Sequence, residues 1–142
     1  MEPHIPEITS VIQLAVAPVF MLTAVGTIIS ALNIRLGRAV DRRRVLELGL
    51  QAGAPNDDAR AELAQIARRI HYVYLSIVFS VLSGLFVCLL IAGAFIGAFV
   101  AANLSRMVAA LFVLAVASLT VALLLFLREI FLAVSTPRHV PK

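Results

Sequence analysis

Three apolar runs, each too long for a soluble core element, constrain this chain more than any other feature. They extend over about residues 8–34, 72–101 and 107–130. A helix needs about 20 apolar residues, at 1.5 Å each, to cross the ~30 Å hydrocarbon layer of a bilayer. Lipid offers the backbone no hydrogen bonds, so a span is a helix or a strand of a closed barrel. Barrel strands are about ten residues long and alternate in polarity. These runs are about twice that length and do not alternate. Composition agrees: of 142 residues 61% are hydrophobic and 14% charged, too little polar surface for a water-soluble globule. The expected fold is all-α, a single membrane domain with three transmembrane helices.

Charge then orients the chain. Eight of the twelve basic residues lie between Arg35 and Arg69; none precedes the first run, Arg106 alone lies in the second loop, and three follow Leu127. The positive-inside rule puts the Arg35–Arg69 segment and the C-terminus in the cytoplasm, with the N-terminus outside. A pI near 10.2 raises nucleic acid as a partner, but this clustering is accounted for by topology, and none is expected. The start, Met1-Glu2-Pro3-His4, has no basic region and precedes an apolar stretch too long for a cleaved signal peptide.

The polar segment, about 35–70, reads as a helical hairpin. Gly53-Ala54-Pro55-Asn56-Asp57-Asp58 is the clearest break, with Asn56 or Asp57 as a cap for the next helix. A helix from Asp58 to Ala101 would be about 65 Å long, roughly twice the hydrocarbon thickness. Extensions of the first two helices are therefore expected to project into water as an antiparallel pair. Asn103-Leu104-Ser105-Arg106 reads as the second turn, and Thr136-Pro137-Arg138 as the stop of the third helix. Pro6 suits a first helical turn. Pro18, inside the first span, is expected to kink it, because its ring removes the hydrogen bond to the Leu14 carbonyl.

Catalytic signals are lacking: no phosphate-binding glycine loop, no paired carboxylates within a span, no metalloprotease motif. His4, His71 and His139 fall at an outer end, a membrane boundary and a tail, and do not converge as metal ligands. No enzyme activity, cofactor or metal is expected. Cys88 is single, so no intramolecular disulfide forms.

Steps of four and three along the first span pass through Thr9, Gln13, Val16, Phe20, Thr23, Thr27, Ser30 and Ile34, five of them polar, on one helical side. That side should meet protein or water rather than lipid. It can be a packing face between helices. The sharper alternative is a pore wall with Val16 and Phe20 as an apolar constriction, which three spans can enclose only in a ring of subunits. On the second span, Ser80, Gly84, Cys88, Gly93 and Gly97 form a small-residue packing face, within the subunit or between subunits. At the cytoplasmic end Arg38, Asp41, Arg42, Arg128 and Glu129 suggest a charge clamp. Arg128 is expected to meet Asp41 or Glu47, and Glu129 to meet Arg38, Arg42 or Arg69. The run Arg42-Arg43-Arg44 suits anionic lipid headgroups or a solvated helix face.

Three strings carry a family resemblance: Ile12-Gln13-Leu14-Ala15-Val16-Ala17-Pro18-Val19-Phe20-Met21-Leu22, Asn33-Ile34-Arg35-Leu36-Gly37-Arg38-Ala39-Val40-Asp41-Arg42, and Leu124-Leu125-Phe126-Leu127-Arg128-Glu129-Ile130. With these the chain resembles a bacterial family of small membrane proteins known as domain of unknown function 2721. The resemblance implies a bacterial inner-membrane protein and carries no activity. It includes Gln13, Pro18, Arg35, Arg38, Asp41, Arg42, Arg128 and Glu129 without giving them roles.

Two functions are compatible with these residues. One is a homo-oligomeric ion channel or channel-like pore lined by the first helix. The other is a non-conducting scaffold or accessory subunit whose hairpin binds a cytoplasmic protein partner or anionic lipid. Membrane lipid and further copies of the chain are the expected partners.

Overall fold

A computed structural model describes residues 5–53 and 57–135. It is all-helical, with α1 over Ile5–Gln51, α2 over Asp57–Val100 and α3 over Ser105–Val134. All three are long and apolar enough to cross a membrane. Many large apolar side chains lie outside: Leu14 and Phe20 are each 71% exposed. The interior holds Leu32, Val73, Val87 and Leu90 together with small or polar groups, Ala115, Ala122, Ser76, Ser80, Ser83, Ser118 and Glu129 among them. An outer surface rich in large apolar side chains, over a seam where serines and alanines alternate with larger residues, suits a helix bundle solvated by lipid, where close backbone approach replaces the hydrophobic effect as the drive to pack.

Helix α2 is the centre. Both α1 and α3 pack along it and scarcely touch one another. Both neighbours run antiparallel to it: Arg42 of α1 meets Glu62, and Leu22 and Val25 lie beside Gly84. On the other flank Ala122 meets Ser76, and Ala115 meets Ser83. Among the described side chains of α1, the buried ones are Pro18, Val25, Leu32 and Ala39, seven apart. Those of α2 include Val73, Ser76, Ser80, Ser83, Val87 and Leu90, at steps of three and four. A seven-residue repeat keeps one seam against the neighbour along a left-handed coil of helices.

Helix α1 stays helical through Pro18, which is buried in its seam. Pro6 lies in its first turn. The helix closes at Gly53, whose φ of +89° is the left-handed conformation that glycine adopts without steric cost. Asp57 and Asp58 occupy the first turn of α2, at its positive end. The expected breaker residues Ala54–Asn56 and the stop Thr136–Arg138 fall outside the described residues.

The second turn is shorter than its sequence suggests, with Ser105 and Arg106 already in α3. Ala101 takes the left-handed conformation (φ 52°), and the Ala102 N–H donates to the Gly97 carbonyl at 3.2 Å, closing α2. Asn103 accepts from the Ser105 N–H and hydroxyl, which starts α3. A Cβ in the left-handed region costs about 1–2 kcal/mol. Ala101→Gly is therefore expected to stabilise the protein by about 1 kcal/mol in detergent thermal melts. An unchanged or lower melting point would count against this closure.

Candidate functional site

Two features stand out. One is the junction of the three helices at Glu129; the other is the polar stripe on α1.

At the junction the sequence puts an acidic residue two residues after Leu127, where α3 is buried against α2. Glu129 is 1% exposed. Its Oε2 accepts from Arg35 of α1 at 2.8 Å, and its Oε1 from Arg69 Nη2 of α2 at 3.0 Å. The Arg69 Nε–H donates to the same oxygen at 3.2 Å. A buried carboxylate needs paired, hydrogen-bonded charge, and both oxygens have it. Arg35 also lies over the Phe126 ring at 5.2 Å, and Arg128 over Tyr72 at 5.5 Å. The carboxylate thereby ties all three helices at one level, and ties α1 to α3, which otherwise hardly meet. Beyond that level α1 continues from Arg35 to Gln51, roughly 24 Å of helix. Arg42 and Glu62 bridge it to α2 at 2.9 Å. The hydrogen bond to the Glu62 carboxylate, then its charge, raises the Arg42 pKa above its ordinary value.

The expected clamp is thus corrected in its partners. Glu129 takes Arg69 as anticipated, but Arg35 in place of Arg38 or Arg42. Arg42 is used by Glu62, and Arg43 by Glu47 within the same helix. Arg128 stacks on Tyr72 rather than meeting Asp41 or Glu47. No ion pair of Arg38 or Asp41 occurs among the described residues. The reason is register: antiparallel packing brings position 35 of α1, 69 of α2 and 129 of α3 to one level, and Arg38 lies a turn beyond it.

The stripe is exposed throughout. Thr9, Gln13, Val16, Phe20, Thr23, Thr27 and Ser30 all lie on the outside of the three-helix unit. The hydroxyls of Thr23, Thr27 and Ser30 donate to carbonyls one turn back, those of Val19, Thr23 and Gly26. Gln13 has no hydrogen-bond partner among the described residues.

The small-residue face of α2 is divided. Ser80 and Gly93 are buried, Gly84 and Gly97 half-buried, and Cys88 exposed. Each step of four residues turns the helix by about 40° beyond a full circle, so the row from Ser80 through Gly84 to Cys88 rotates out of the interior. The seam that stays inside alternates steps of three and four, and includes Ser76 and Ser83, which reasoning from glycines passed over. Ser76 donates to the Ala122 carbonyl at 2.7 Å and Ser83 to that of Ala115 at 2.8 Å. The spacing Ser76-Ser80-Ser83-Val87-Leu90 was the available signal.

No curated protein and no solved structure matches this chain. A sequence model of one family, described as protein of unknown function (DUF2721), matches residues 15–139, a stretch that holds every charged group of the junction. The match covers most of the chain, which therefore belongs to that family.

Proposed function

We propose that this protein is the subunit of a homo-oligomeric, channel-like assembly of a bacterial inner membrane, with the α1 stripe turned toward the assembly axis. The observation that carries this reading is the exposed carboxamide of Gln13, which has no partner among the described residues, whereas the hydroxyls of Thr23, Thr27 and Ser30 on the same face bond to their own helix. Leaving an amide unsatisfied in an apolar medium costs about 2–7 kcal/mol. Water in a pore, or the same residue of another copy, removes that cost. Val16 and Phe20 form an apolar ring on this face, with Gln13 on one side and Thr23 and Thr27 on the other. The basic residues of the α1–α2 extension support an N-terminus outside and a C-terminus in the cytoplasm.

A second reading draws on the hydroxyls. Thr23, Thr27 and Ser30 are closed on their own helix and make small demand on water. That favours a stripe packed dry between copies, in a scaffold whose cytoplasmic hairpin docks a partner.

One experiment separates the two. In a Cys88→Ala background, single cysteines replace Gln13, Phe20, Thr23 and Thr27. The native mass is measured, and a membrane-impermeant thiol reagent is added from the N-terminal side. A ring whose Gln13 position reacts, and whose Phe20→Ala variant conducts more than wild type, is the expected result. A ring with all four positions unreactive supports the scaffold, and a monomer overturns both.

A further inference from the structure

A groove on the other side of α1 leads to a site for a phospholipid. It has a volume of about 810 Å³ and lies between the first half of α1, the end of α2 and the start of α3. Its wall includes Pro18, Ala94, Ala98, Ala109 and Phe112, and none of the polar stripe. Small side chains on the facing helices leave the space open. The volume falls within the roughly 300–1,000 Å³ of ligand sites. A gap of this size between lipid-facing helices is filled by an apolar chain.

The groove ends in a polar notch of about 250 Å³, formed by Asn103, Ser105 and Arg106, the first two of which also line the groove. Arg106 is the one charged residue between His71 and Arg128, is exposed, and has no ion-pair partner among the described residues. The carboxamide oxygen of Asn103 is occupied by Ser105, which leaves its NH₂ free to donate outward. A cation and an amide donor at the end of an acyl-sized apolar slot match a phosphodiester on a hydrocarbon chain. We infer that one phospholipid per subunit binds here, an acyl chain in the groove and its phosphate on Arg106 and Asn103.

The inference is independent of the channel reading, which rests on the opposite face of α1. It is tested by native mass spectrometry of the full chain titrated with phosphatidylglycerol, and with diacylglycerol of the same acyl chains. One phosphatidylglycerol per subunit is expected, with diacylglycerol about tenfold weaker or more, the loss of a hydrogen bond to a charged group. Arg106→Gln should weaken phosphatidylglycerol by a similar factor and leave diacylglycerol unchanged. Ala94→Phe, and separately Ala109→Phe, should remove both lipids while the melting point stays near that of wild type. Phosphatidylglycerol binding untouched by Arg106→Gln and by both groove variants overturns the site. So does a groove variant that dissociates the oligomer without loss of lipid, since a second copy would then be the occupant.

Discussion

Glu129→Ala is expected to destabilise the folded protein by about 3 kcal/mol or more, the cost of breaking a buried ion pair by removing one partner. The carboxylate is almost wholly buried, and its loss leaves Arg69, and Arg35 over the Phe126 ring, without their counter-charge. Both guanidiniums are partly exposed and relieve some of that cost by turning outward, which places the effect toward the lower end of the range. Reversible unfolding of detergent-solubilised protein gives the number. The companion variant sharpens the cause: replacing Arg35, Arg69 and Glu129 together by leucine should recover most of the stability, because an apolar cluster has no charge to desolvate. If Glu129→Ala unfolds like wild type, the three-helix junction is not a source of stability. If the triple variant is as weak as the single one, packing rather than stranded charge is the cause.

Ala122→Leu should be comparably damaging, about 3 kcal/mol, for a steric reason. Ala122 and Ala115 are fully buried against α2, and the Ser76 and Ser83 hydroxyls that donate to their backbone carbonyls hold the two helices close. A leucine there forces the backbones apart, costing about 1–3 kcal/mol in overpacking, and also separates hydrogen-bonded groups. Ser76→Ala removes only one bond and keeps the close approach, so about 0.6 kcal/mol is expected, the typical size for interhelical hydrogen bonds in membranes. The ratio of the two effects, read in the same unfolding assay, distinguishes a seam held by shape from one held by hydroxyls. Equal losses would contradict the first.

Much of the architecture was legible because membrane solvation acts residue by residue. A run of about 25 uncharged apolar residues has one stable form in lipid, and the punctuation at Gly53 and near Asn103 divides the helices. Local chemistry also marked the polar stripe, since Thr9, Gln13, Thr23, Thr27 and Ser30 share a helical side whatever surrounds them. The pairing of charges was less legible. Glu129 was recognisable as a clamp and Arg69 as one partner, but Arg35 stood among eight nearby basic residues with nothing local to single it out. Only the antiparallel register brings it level with Glu129.

The sequence alone determined the three membrane helices, the location of the basic segment and which side of α1 is polar, because each follows from period, length and side-chain polarity. Tertiary structure decided that α2 is the central helix and that the α1 stripe faces away from it. It also decided that Ser76 and Ser83 rather than Cys88 lie inside, and that a groove ends at Arg106. These depend on which helices approach and at what level. That is set by shape fit along seven-residue seams summed over whole helices, a quantity no single residue carries.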